Sequence, residues 1–423
     1  MRAGLSTRML LGLVAGAVAG SAAHVAFGDS PALQAVITYG TAPIGTVFLR
    51  LLFMLVLPLV VSALALGVAE LRDLGRLGRI GWRTLVYTVA VSSIAVALGV
   101  AMVNLLRPGE GMSPAVRERL TARAAGAAVD AAPAAANGVE FMVRLVPSNV
   151  VRAMADGDML AVLVFALLLG IGLVLTPSAA ARSFERGLQG LYDVTMRLLE
   201  LVIRAAPVAV ACLLFTATGR LGYDVLRQLG WFVATVVLAL GVHQFGVYAL
   251  AVRWLGGMAP RRFYRDVRPA MVTAFSTSSS NATLPTALEV AEQNLRLPPH
   301  VSRFVLTIGS TANQNGTALY EGVTVLFLAQ LYGVELALAQ QVLVVCICIL
   351  GGVGTAGVPG GSLPVVAMIL GLVGIPPDGI GIVLGVDRLL DMCRTTVNVT
   401  GDLVAAVIVA RGEGAPSAEE PHG

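Results

Sequence analysis

Long apolar runs at residues 9–27, 45–69, 84–106, 158–176, 188–218 and 228–256 are each long enough to cross a hydrocarbon layer roughly 30 Å thick. A water-soluble core has no room for all of them. Hydrophobic residues make up 57% of the 423 and charged residues only 13%, the composition of a polytopic helical membrane protein.

Lipid-facing segments exclude charge, so the net charge of +4 is more informative by location than by total. Every cation is an arginine. Arg72, Arg76, Arg79 and Arg83, then Arg182 and Arg186, then Arg253, Arg261, Arg262, Arg265 and Arg268 fall in alternate loops. The positive-inside rule puts those loops and the N-terminus, with Arg2 and Arg8, on the cytoplasmic side. Arg107, Arg117, Arg119 and Arg123 run against that count. A nucleic-acid partner is a poor account of this basicity.

The opening "MRAGLSTRMLLGLVAGAVAGSAAHVAFG" is long enough to span by itself, although small residues near its end also fit a secretory leader. Cys212, Cys346, Cys348 and Cys393 show no zinc-site spacing and are read as packing residues. Asn281, Asn315 and Asn398 begin N-x-T sequons, but all three lie in segments placed within the membrane, beyond a glycosylation enzyme's reach.

A loop near residues 110–138, rich in alanine and arginine, interrupts the first half. From about residue 260 the apolar runs shorten. In "VLVVCICILGGVGTAGVPGGSLPVVAMILGLVG", residues 342–374, two apolar pieces flank a glycine-rich centre. As helices of about a dozen residues they reach only ~18 Å, too short to span singly. The spacing predicts a re-entrant hairpin with a non-helical tip at membrane depth, tolerated only where protein or a water-filled cavity surrounds it. "STSSSNATLP", residues 276–285, is read as a second such tip; the alternative is a serine-rich surface loop. Two broken-helix hairpins in corresponding positions point to a transporter built on inverted repeats, with substrate held between the tips.

In "GVDRLLDMCRTTVNVTGDLVAAVIVAR" the residues Asp387, Asp391, Arg394, Asn398 and Asp402 are spaced 4, 3, 4 and 4 apart, with Thr395 beside them. On a helix they fall within an arc of roughly 80°. Each ionised side chain at mid-membrane costs about 2.5–3.5 kcal/mol, so the stripe must face partners or a hydrated pathway. Internal salt bridges, such as Asp391 with Arg394, are the alternative reading.

The preceding span holds "TIGSTANQNGTALYEG". On a regular helix Asn313, Gln314 and Asn315 would point three ways, so the sequence predicts local unwinding around Gly316. Unwound carbonyls and amide oxygens suit a small hard cation. Glu321 follows, alone in a neutral stretch, read either as a proton carrier or as a structural hydrogen-bonding group.

"TSSSNATLP", "NQNGTALYEG", "GTAGVPGG" and "DMCRTTVNVTGD" together resemble the dicarboxylate/amino acid:cation symporter family, that of the glutamate transporters. The similarity covers nearly the whole chain and is most specific from about 270 to 411. It implies an all-α membrane protein of eight transmembrane helices and two re-entrant helical hairpins, assembled as a homotrimer in the plasma membrane, the bacterial inner membrane, with both termini cytoplasmic. It implies scaffold segments at 1–72 and 139–218, a transport domain from 80–106 and 227–412 that slides across the membrane, and a cytoplasmic tail at 413–423. No cofactor is implied beyond sodium and/or protons as coupling ions.

Carried over residue by residue, the resemblance implies a substrate site of Ser278, Ser279, Ser280, Thr317, Gly357, Asp391, Arg394, Thr395 and Asn398. The chemistry suits an acidic amino acid: Asp391 for the ammonium, Arg394 for the side-chain carboxylate, and Asn398 with tip N–H groups for the α-carboxylate. A C4-dicarboxylate has no ammonium to satisfy Asp391, and a neutral amino acid leaves Arg394 unpaired. Aspartate or glutamate is therefore favoured, with a C4-dicarboxylate second.

Gly309, Asn313, Asn398 and Asp402 match one family sodium site, and Thr311, Gln314 and Thr355 fall at a second. The usual "NMDG" is here "NQNG", so Asn315 removes an anionic ligand from a third, of which "YTVAVSSIAVALG" keeps Ser92. Fewer sodium ions are expected, with Glu321 contributing a proton. An intramembrane enzyme is excluded because Asp387 and Asp391 share one helix and His24, His243, His300 and His422 offer no base near the serine tip. A substrate-gated channel or non-transporting sensor remains the rival of another class.

Overall fold

A computed structural model describes residues 5–28, 30–70, 79–111, 118, 146–156, 159–354 and 362–412. Thr355, Gly357 and the rest of the second tip, most of the 110–138 loop, Arg72 and Arg76, and the 413–423 tail lie outside them. Among the described residues the chain is helical and has no β-strand.

The elements in order are α1 (Leu5–Phe27), α2 (Pro31–Val36), α3 (Ala42–Met54), α4 (Val56–Glu70), α5 (Arg79–Leu106), α6 (Val150–Asp156), α7 (Met159–Leu175), α8 (Ala179–Ile203) and α9 (Ala206–Leu221). They continue as α10 (Asp224–Val242), α11 (Tyr248–Trp254), α12 (Pro260–Thr277), α13 (Ser280–Glu289), α14 (Pro299–Ala312), α15 (Asn315–Tyr332), α16 (Leu338–Gly354), α17 (Ser362–Leu372) and α18 (Ile380–Arg411). Single π-turns at Ile37–Thr41 and His243–Val247 join α2 to α3 and α10 to α11 without ending the helix. Among the described residues five continuous stretches are long and apolar enough to cross a membrane: Thr7–Phe27, Pro31–Ala69, Arg79–Leu106, Asp224–Trp254 and Ile380–Arg411.

The apolar run at 188–218 is not one straight helix. The axis bends by 58° between α8 and α9. The reason is local: Pro207 opens α9, while α8 buries only Leu188, Thr195, Met196 and Leu199 along one stripe and exposes its charged side chains. Ser178 caps α8 by accepting from the Ala181 N–H at 3.0 Å.

The first helix is built into the fold. Gly12, Gly16 and Gly20, four apart, put the α1 backbone directly on α9: a Cβ at Gly16 would lie 2.8 Å from Ala211 Cα, and one at Gly20 2.6 Å from the Phe215 carbonyl. His24 Nδ1 lies 2.9 Å from the Gly219 carbonyl.

The centre of the molecule is α15 and α18. From Asn315 to Tyr332 every residue of α15 except Gln330 is buried. Around this pair pack α5, α10, α12, α14 and α16. α12 and α13 form a helical hairpin with its turn at Ser278–Ser279, and both arms lie on α18.

Candidate functional site

The chain between α14 and α15 leaves the helical path at Asn313 (φ −107°, ψ 66°) and Gln314 (φ −97°, ψ 55°). The unwinding expected around Gly316 therefore falls two to three residues earlier, and Gly316 is already helical. Its glycine serves close approach instead: a Cβ there would lie 2.6 Å from the Arg394 carbonyl and 3.0 Å from Val397 Cβ on α18.

Side chains from α18 satisfy the broken backbone. Asn398 Oδ1 accepts from the N–H groups of Gly316 at 2.7 Å and Thr317 at 3.4 Å. Its Nδ2 donates to Gln314 Oε1 at 2.5 Å and Thr317 Oγ1 at 3.0 Å, and Gln314 Nε2 donates to the Ser310 carbonyl at 2.8 Å. These bonds supply the partners that a buried helix break loses.

One turn further along α18, Asp402 receives a hydrogen bond from Asn313 Nδ2 at 2.8 Å, and a Cβ at Gly309 would meet its Oδ1 at 2.5 Å. Asn313 Oδ1 is buried and has no hydrogen-bond partner among the described residues. Gly309, Asn313 and Asp402 thus share one polar nook, whereas the Asn398 amide belongs to the neighbouring turn.

Asn315 has neutral partners. Ser92 Oγ, from α5, lies 2.5 Å from Asn315 Oδ1, and Asn315 Nδ2 donates to Tyr248 Oη at 3.0 Å. Tyr248 Oη donates in turn to the Val397 carbonyl at 3.1 Å.

Four alternating charges occupy the first half of α18. Arg394 Nη1 donates to Asp387 Oδ1 at 2.9 Å; its Nε and Nη2 lie 3.0 Å and 2.9 Å from Asp391 Oδ1. Arg388 Nη1 lies 3.4 Å from Asp391 Oδ2. The Arg394 guanidinium, 1% exposed as a residue, stands 4.2 Å from the centre of the Tyr320 ring. The internal ion pairs foreseen as an alternative for this stripe are present.

The remaining site residues are distributed around this core. Ser278 sits in the left-handed region (φ 51°, ψ 36°), and Ser279 caps α13 by accepting from the Ala282 N–H at 3.2 Å. The hydroxyls of Ser278 and Ser280 are buried with no hydrogen-bond partner among the described residues. Thr395 is buried, and Thr311 donates to the Ile308 carbonyl at 3.0 Å. Glu321 is wholly buried on α15 and faces α16, where a Cβ at Gly351 would lie 3.3 Å from its Oε2. α16 also runs past the break, since a Cβ at Gly352 would lie 3.6 Å from the Gln314 carbonyl.

Sequence reasoning missed Tyr248, Tyr320 and Arg388. Tyr320 lay inside the quoted motif, but neither it nor Tyr248 carries a periodic signal. Arg388 stands off the polar stripe but reaches Asp391, three residues on, at 3.4 Å.

The family model for the sodium:dicarboxylate symporter family matches residues 5–412. The proton/sodium-glutamate symport protein of Bacillus subtilis (strain 168) is 33% identical over 418 residues, covering 97% of this chain and 93% of that protein. The proton/glutamate-aspartate symporter of Escherichia coli (strain K12) is 31% identical over 410 residues, covering 97% and 93%. The C4-dicarboxylate transport protein of Rhodospirillum rubrum is 31% identical over 375 residues, covering 88% and 82%. A helix interrupted at Asn313–Gln314, closed by Asn398 and flanked by a buried Asp391–Arg394 pair, lies inside the matched region. This chain belongs to the sodium:dicarboxylate symporter family, and is a transporter rather than an enzyme.

Proposed function

We propose that the protein is a secondary active symporter that takes up aspartate or glutamate, coupled to sodium and/or protons. The observation that carries this reading is the buried Asp391–Arg394 pair at 2.9 Å, one carboxylate and one guanidinium on adjoining turns beside a broken helix. The substrate ammonium takes a place on Asp391 while its side-chain carboxylate meets the guanidinium, which Asp387 and Tyr320 hold in place. The α-carboxylate takes the N–H groups at the Ser278–Ser280 tip and Asn398, with Thr317, Thr395 and Gly357 completing the enclosure.

Sodium is bound at the nook of Gly309, Asn313 and Asp402, with Asn398 joining from the adjacent turn. The unpartnered Asn313 Oδ1 supports this assignment. Thr311, Gln314 and Thr355 form a second cation position. Ser92 and Asn315 satisfy each other and take no ion. Glu321, buried against the first arm of the second hairpin, carries a proton.

In this reading the chain forms eight spans and two re-entrant hairpins related by inverted repeats. Segments 1–72 and 139–218 form the trimeric scaffold; 80–106 and 227–412 form the domain that moves as an elevator. Both termini face the cytoplasm of a bacterial cell.

C4-dicarboxylate transport is the second reading, favoured by the Rhodospirillum rubrum relative. Purified protein in proteoliposomes, offered labelled aspartate, glutamate or succinate under separately imposed sodium and proton gradients, tests both. Uphill accumulation of an acidic amino acid is the expected result. Accumulation of succinate alone would establish the second reading, and flux that never exceeds equilibrium would make the protein a channel or sensor.

A further inference from the structure

Asp387, Arg394, Asp391 and Arg388 form a linear chain of alternating charge, with contacts of 2.9, 2.9 and 3.4 Å. The two inner members are the groups assigned above to substrate. The two outer members touch no substrate group in that assignment, yet each neutralises an inner one. Asp387 holds Arg394 Nη1 with both side chains almost sealed, at 5% and 2% exposure. Arg388, at 14%, meets the Asp391 oxygen that Arg394 does not touch. Two carboxylates and two guanidinium groups sum to zero.

We propose that Asp387 and Arg388 are specificity-determining residues that set the net charge of the binding site and thereby its balance between substrates of one and of two net negative charges, Asp387 favouring the first and Arg388 the second. The inference rests on the substrate assignment above. Aspartate and succinate share a four-carbon skeleton and both carboxylates; they differ by the ammonium. Each outer charge acts on that difference directly. Asp387 reduces the pull of Arg394 on carboxylates, which costs the doubly charged ligand more than the singly charged one. Arg388 offsets Asp391, which would otherwise attract the ammonium more strongly and repel a dianion more strongly. In a sealed site such charges are weakly screened by salt.

The experiment measures competition between labelled L-aspartate and unlabelled succinate on purified protein in lipid nanodiscs, at one sodium concentration and one pH. Asp387→Asn keeps the shape and one acceptor but removes a charge; it shifts the affinity ratio toward succinate by about tenfold. Arg388→Gln shifts it toward aspartate. The double variant restores the charge sum and brings the ratio back to within threefold of the wild type, as does Asp387→Glu alone.

A single variant that still binds aspartate and moves the ratio less than threefold, or moves it the other way, overturns the proposal. If Asp387→Asn yields no folded protein, the more exposed Arg388→Gln decides by the same criterion. Wild-type protein that binds neither ligand would instead overturn the functional reading beneath.

Discussion

Ser92 and Asn315, 223 residues apart in sequence, are joined by a 2.5 Å hydrogen bond in which the hydroxyl donates to the amide oxygen. A carboxylate at 315 would face Ser92 Oγ and Tyr248 Oη in a fully buried position, with no cation from the protein among these partners. Asn315→Asp is therefore expected to lower the melting temperature in sodium-free buffer, by about 2–4 kcal/mol of stability, because a buried charge is left uncompensated. Added sodium should recover most of that loss and steepen the sodium dependence of uptake. Thermal unfolding in detergent with and without sodium reads the first effect, and initial rates against sodium concentration read the second.

Glu321 is wholly buried and faces Gly351. Glu321→Gln preserves the size and removes the titrating group. Uptake driven by a proton gradient alone should fall at least tenfold, while sodium-driven uptake persists. An acid jump applied to proteoliposomes in sodium-free medium measures the difference. Proton-driven uptake equal to the wild type would remove Glu321 from the coupling scheme.

Arg394 holds two buried carboxylates and lies over Tyr320. Arg394→Ala should cost about 3–5 kcal/mol of stability, since it takes the guanidinium from Asp387 and leaves Asp391 only its longer contact to Arg388 in a dry site. It should also abolish binding of acidic substrates. Tyr320→Leu removes only the ring face and should cost about 1–2 kcal/mol, with weakened rather than lost binding. Chemical or thermal denaturation, paired with isothermal binding of aspartate, separates the two variants.

Gly309 gives Asp402 room. Gly309→Ala would bring a methyl to 2.5 Å from the carboxylate oxygen, so either the α14 backbone or Asp402 must shift. The expected outcome is an apparent sodium affinity reduced by tenfold or more with the fold intact. Sodium titration of aspartate binding is the direct check, and an unchanged titration would move the ion elsewhere.

Gly16→Leu should destabilise the α1–α9 contact by about 1–3 kcal/mol, since the helices touch through backbone at this glycine. The melting temperature in detergent reports it; Gly172→Leu, whose Cβ would meet nothing within 4 Å, is the matched control.

Much of the site was legible because its signals are periodic or local. Asp387, Asp391, Arg394, Asn398 and Asp402 recur at helical spacing, and all five are buried on α18. The serine cluster at 278–280 declared a turn, and a turn is there. What stayed hidden depends on which helices meet. Tyr248 reaches Asn315 and Val397 across 67 and 149 residues, and no local pattern encodes such a contact. Gly316 misled because glycine permits both unwinding and close approach, and only the position of α18 decides between them. The break in the run at 188–218 stayed hidden because an amphipathic helix and a short apolar one, averaged together, resemble one straight helix. Pro207 was the available signal.

At Gly316 no side chain separates α15 from the α18 backbone. A helix seated that closely cannot glide along its neighbour, because any axial step would drive the Arg394 carbonyl into the next side chain of α15. The nook of Gly309, Asn313 and Asp402, the charged chain and the mended break are consequently locked to one another through this one seat.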